Sequence, residues 1–72
     1  MTTPTLLWQL RGQTGTLTEC RLHPLATGDV EIRITRAGST LFGERYGDEA
    51  EARRHAADYH ESLIEKGWRD AA

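Results

Sequence analysis

The chain is 72 residues long and carries nine Lys and Arg against eleven Asp and Glu, for a net charge of −2. That length holds one small domain and excludes a multidomain machine. Leu, Ile, Val and Phe together number only 13, so the core is thin, yet the small net charge argues for folding over disorder.

Gly and Pro punctuate the chain densely up to Gly47, and from Asp48 to Lys66 neither occurs. This division predicts a β-rich front followed by one helix. The first strand is expected at Leu6–Arg11, where Leu6, Trp8 and Leu10 alternate with Leu7, Gln9 and Arg11. Gly12-Gln13-Thr14-Gly15 has the length of a hairpin turn. The second strand is expected at Thr16–Leu25, with Thr18, Cys20 and Leu22 on one face and Glu19, Arg21 and His23 on the other. Pro24 ends its regular ladder. Ala26-Thr27-Gly28-Asp29 forms the next turn.

Val30–Arg36 has the clearest alternation: Val30, Ile32 and Ile34 oppose Glu31, Arg33 and Thr35. After Ala37-Gly38 comes a fourth strand at Ser39–Tyr46, whose phase is open because Leu41 and Phe42 are adjacent and Gly43 can mark a bulge.

The helix is expected at residues 48–66. Asp48 is its N-cap, with Glu51 as capping-box partner. Glu49 and Glu51 in the first turn and Lys66 in the last suit the helix dipole. Gly67 supplies the left-handed C-cap, and Trp68 folds back as a hydrophobic lock. Ala52, Ala56, Tyr59 and Leu63 form the buried stripe. The fold class is therefore α+β: a four-stranded antiparallel meander, β-β-β-β-α, with the C-terminal helix packed on one sheet face.

Chemistry-bearing motifs are sparse. The lone Cys20 has no disulfide partner, lies on the expected core face and has Glu19 beside it, so it reads as a buried structural thiol. There is no CxxC, and no metal or other cofactor is expected. His55 and His60 are five apart and fall on different helix faces, outside the i, i+4 ligand spacing. Glu51, His55 and Asp58 read as a solvated ion-pair face before they read as a metal triad. His60 borders the apolar stripe and reads as structural. Gly12-x-x-Gly15 lacks the Lys-Ser/Thr of a phosphate loop. A fold this small seldom encloses a water-excluding pocket, so no catalytic residue and no enzyme activity are expected.

No apolar run approaches the ~20 residues that span a bilayer, and residues 1–5 lack the basic and apolar regions of a signal peptide. The expected location is the cytoplasm, with no membrane partner. Eight of the nine basic residues are Arg, a coding bias expected of a GC-rich bacterial genome.

The charge is unevenly divided. Residues 1–47 hold five Arg and four acids; residues 48–72 hold four basic residues and seven acids. If the helix covers the face of Trp8, Ile32 and Ile34, the open face presents Gln9, Arg11, Arg21, His23, Arg33 and Thr35. Arg45 joins them if the fourth strand has that phase. Arg11, Arg21, His23, Arg33 and Arg45 are the candidate contacts to a protein partner or a nucleic acid. Glu19 and Glu31 share that face, and no aromatic does. Leu7, Leu17, Leu25 and one of Leu41 and Phe42 also fall there by alternation. That is more apolar surface than a lone domain should expose. The first expectation is thus a non-enzymatic interaction module that forms a homodimer through the open face. The second is a nucleic-acid-binding module using the same face.

The β-β-β-β-α order resembles the repeat of the purine-rich-element-binding, whirly and positive-cofactor-four proteins. The stretch Glu31-Ile32-Arg33 and the Ala-rich helix opening Asp48-Glu49-Ala50 are similar to the plant ethylene-response-factor domain and the arm-binding domain of tyrosine recombinases. The first group implies single-stranded nucleic-acid binding by a dimer, and the second implies a sheet face that reads DNA with Arg33 as a contact. The tryptophans that flank that position in the plant domain are missing here.

Overall fold

The computed structural model describes residues 3–71. Four strands, β1 (Thr5–Arg11), β2 (Leu17–Pro24), β3 (Val30–Arg36) and β4 (Ser39–Tyr46), precede the helix α1 (Glu49–Glu65). A fifth strand of two residues, β5 (Arg69–Asp70), follows it. The five form one sheet in the order β4-β3-β2-β1-β5, with every pairing antiparallel. The meander and helix expected from sequence are present; β5 is an addition.

α1 packs on the sheet face carrying Leu10, Thr18, Cys20, Leu22, Val30, Ile32 and Ile34, all of them buried. Ala52 and Ala56, also buried, bring the helix backbone close to this face. Trp8 fixes the approach: its indole Nε1–H donates to the Ala56 carbonyl at 2.9 Å. The Tyr59 ring stacks on the same indole, with centroids 6.3 Å apart.

The helix ends follow the sequence, with two corrections, of which one is that Lys66, expected in the last turn, is the C-cap and leaves that turn without a basic residue. The Asp48 carboxylate accepts from the Ala50 amide at 2.9 Å, but Glu51 does not close a capping box. Its carboxylate lies 3.9 Å from His55 instead, the i, i+4 neighbour. At the C-terminus Gly67 takes φ +102. Its amide donates to Ile64 and the Trp68 amide donates to Leu63, which is the Schellman arrangement.

Past this cap the tail folds back. Trp68 lies against Gly12, where any Cβ would stand 3.2 Å from the indole ring. The Arg36 guanidinium sits 4.7 Å from the Trp68 ring centroid. The tail then pairs Asp70 with Leu10 and Arg69 with Arg11, and the Ala71 amide donates to the Gln9 carbonyl. His60 on α1 meets Asp70 at 2.9 Å, so the histidine beside the apolar stripe anchors the tail.

Two bulges overturn the simple alternation. A register shift between Leu6 and Trp8 pairs Leu6 with Arg21 and Trp8 with Cys20. Leu6 therefore turns to the open face, and Leu7, expected there, packs on the helix-side core. A second shift, opposite Ile34 and Thr35, leaves Leu41 as the extra residue of β4. Phe42, Glu44 and Tyr46 then lie on the helix side, and Gly43 and Arg45 on the open side. A bulge adds one residue to one strand and flips the parity beyond it.

Candidate functional site

The uncovered sheet face is a polar lattice. Its rows follow from the register: Leu6, Arg21, Arg33 and Gly43 form one, Gln9, Glu19 and Thr35 a second, and His23, Glu31 and Arg45 a third. Arg11 and Leu17 close it near the first turn. All five sequence-nominated residues, Arg11, Arg21, His23, Arg33 and Arg45, thus come together on this face.

Their charges are not equally available. Arg21 is bonded to Glu19 at 3.2 Å, and Glu19 also accepts from the Gln9 amide at 2.8 Å. Arg33 reaches back along its own strand to Glu31. The Glu31 side chain lies over Gly43, where a Cβ would meet it at 3.2 Å. These partners separate two arginines that the register places directly opposite each other, an arrangement that repels when unscreened. Arg11 and Arg45 are exposed and make no salt bridge among the described residues. The Arg21 bond, helped by Gln9 and opposed by partial burial, lowers the Glu19 pKa from the usual carboxylate value. His23 is also held below the ordinary imidazole value, by partial burial first and then by Arg33 and Arg21, against the opposite pull of Glu31. The face therefore keeps its positive character in four arginines set against two glutamates, with the imidazole kept neutral.

The leucines expected to make this face apolar are mostly elsewhere. Leu7 and Phe42 are on the helix side, Leu25 is in a turn, and only Leu6 and Leu17 remain in the lattice. The apolar exposure is divided: Leu6, 47% exposed, stays on the open face, while Leu41 at 46% and Phe42 at 39% lie on the β4 edge.

Two other sequence candidates resolve simply. Cys20 is fully buried, and burial pushes its thiol up to about 12, so it is not poised as a nucleophile. Among the described residues no group of three or more His, Cys, Asp or Glu is placed to hold a metal ion. No helix among them is long and apolar enough to cross a membrane.

A second feature escaped the sequence. Between β4 and α1 lies a cleft of about 270 Å³, floored by Ile32 and Ile34 and walled by Phe42, Tyr46 and Tyr59. Its walls depend on which way Phe42 points, and the bulge at Leu41 decides that. The spacing of Phe42, Glu44 and Tyr46 along one strand face was the available signal. No protein-family model, no curated protein and no solved structure matches this chain.

Proposed function

We propose that this protein is a non-enzymatic interaction module that works as a homodimer, joined through the edge of its sheet. The observation that carries this reading is β4. It is an eight-residue edge strand, exposed at every position but Tyr46, and it displays Leu41 and Phe42. On the opposite edge, β5 and Ala71 cover Gln9–Arg11, and the bulge disrupts the strand near Leu6. One edge is thus partly covered, and the other, beyond its own bulge at Leu41, leaves the outward backbone donors and acceptors of residues 42–46 without a neighbouring strand among the described residues, a template for strand addition. The thin core supplies a reason for association, since a domain this size gains only ~3–5 kcal/mol from its own core.

Size-exclusion chromatography with light scattering at low micromolar protein tests this. The expected result is twice the chain mass. Leu41→Lys places a charge on the edge and should return the protein to monomer, with a thermal midpoint that no longer rises with protein concentration. A wild-type monomer at every concentration rejects the reading.

A second reading, nucleic-acid binding, is favoured by the convergence of Arg11, Arg21, His23, Arg33 and Arg45 on the one face α1 leaves open. Fluorescence anisotropy with single- and double-stranded oligonucleotides at two salt concentrations checks it. Binding should weaken steeply with salt and should fall most in Arg11→Ala and Arg45→Ala, whose charges have no carboxylate partner. Absence of binding at low salt removes this reading.

A further inference from the structure

We infer that the cleft between β4 and α1 is a binding site for a small alkylated ammonium ion. Each wall narrows the choice of ligand. The floor is the buried, apolar pair Ile32 and Ile34. Phe42 and Tyr59 meet at 62°, with ring centroids 5.4 Å apart, and so form a corner of aromatic surface. Tyr46 closes the other end, backed by the His55 ring at 4.9 Å. Glu44, on the same face of β4, lines the cleft and accepts the Tyr46 hydroxyl. Glu51, one turn before His55, adds a second carboxylate nearby. No Lys or Arg is among the residues lining the cleft.

Anions are disfavoured by the two carboxylates. Their influence is already visible at Tyr46: burial first, then Glu44 and Glu51, push its phenol up to about 12. A bare metal ion or ammonium needs several oxygen donors to replace its water, and beside the Glu44 carboxylate the lining holds only tyrosine hydroxyls, that of Tyr46 already bonded to Glu44. A neutral apolar ligand would gain nothing from Glu44. An alkylated ammonium ion spreads its charge over methyl groups that are weakly hydrated, so it suits apolar floor, ring faces and carboxylate together. The volume, just below the ~300–1,000 Å³ of sites for drug-sized molecules, suits a ligand or headgroup of a few heavy atoms. The cleft is built within one chain, but its Phe42 wall also lies on the edge proposed for self-association, so the neutral analogue and Glu44→Gln carry the discrimination.

The test is a nitrogen-15 NMR titration of the full chain with choline and, in parallel, with 3,3-dimethylbutan-1-ol, which has the same shape without the charge. Choline should shift the amides of β4 and of residues 55–59 saturably at about millimolar concentration, and the neutral analogue should bind at least about fivefold more weakly. Glu44→Gln, at an exposed position that tolerates change, should weaken choline about fivefold and leave the analogue unaffected. Phe42→Leu keeps the apolar volume and removes the ring face, and should likewise weaken choline alone. Equal binding of the two ligands, shifts that fall outside the cleft, or no saturable shift up to about 50 mM choline would each overturn the assignment.

Discussion

Arg33 and Arg36 lie three residues apart on β3 and face opposite ways, and they should behave oppositely when truncated. Arg36 points to the helix side. Its Nε–H donates to the Thr18 hydroxyl at 2.9 Å, and Thr18 is fully buried. A hydrogen bond from a charged donor to such a group contributes about 1.5–3 kcal/mol. The guanidinium over the Trp68 ring adds about 0.5–1 kcal/mol. Arg36→Ala should therefore cost about 2–4 kcal/mol. Arg33 makes a half-exposed ion pair with Glu31, worth about 0–1 kcal/mol. Its removal also relieves the opposition to Arg21, a few tenths in the other direction. Arg33→Ala should be nearly neutral. In a domain this small each kcal/mol moves the melting midpoint by about 4–8 °C, so the two variants should differ by about 10 °C or more in a circular-dichroism melt. Arg36→Lys, which keeps the charge and loses the planar donor, should fall between them. Equal melting of Arg33→Ala and Arg36→Ala would show that the tail and Thr18 are not held as described.

Three further outcomes are expected. Ile32→Ala, at a position 4% exposed, should cost about 2–5 kcal/mol, most of what so small a core supplies, and urea titration should find the variant largely unfolded in buffer. Cys20 should resist a thiol reagent at neutral pH until denaturant is added. Its folded pKa lies above the free thiol's ~8.5, so stability should be full below that value and decline as pH rises past it; Cys20→Ala should flatten this alkaline limb in pH-dependent melts. Glu19 titrates lower in the folded state than free, so its contribution is present above the free carboxylate value and is lost as pH falls through the folded one; Arg21→Ala should shallow that acid limb.

Where the sequence was legible, one physical rule dominated each stretch. Val30–Arg36 alternates without interruption, and β3 has the expected bounds and faces. The helix carried a polar cap at Asp48, a small-residue stripe and a terminal glycine, and all three act as read. The misplacements come from the two bulges. A bulge is one surplus residue whose position depends on the twist and packing of neighbouring strands, and no local pattern in Leu6-Leu7-Trp8 or Thr40-Leu41-Phe42 says which residue is surplus. The parity error in β1 put Leu6 and Leu7 on each other's faces, and the bulge in β4 settled the phase that had been open between Leu41 and Phe42. The proposed seam moved with them, and the cleft went unseen. β5 was illegible for another reason: two residues hold no periodicity, and their pairing depends on Trp68 docking beside Gly12. The five candidate residues share the open face because Arg11, Arg21, His23 and Arg33 lie in stretches where the alternation holds and Arg45 lies beyond the bulge in the phase it set.

The pairing of β5 with β1 also bears on the order in which the molecule assembles. Each meander strand finds its neighbour across a short turn, so those hairpins close at little entropic cost. Leu10 and Asp70 are sixty positions apart, and their ladder can form only after the intervening meander strands and helix have been made. Until then the outer edge of β1 is an open template for strangers. Residues 69–71 therefore act as a late-arriving guard, and a variant cut at Gly67 would leave the outer edge of β1 as open as that of β4.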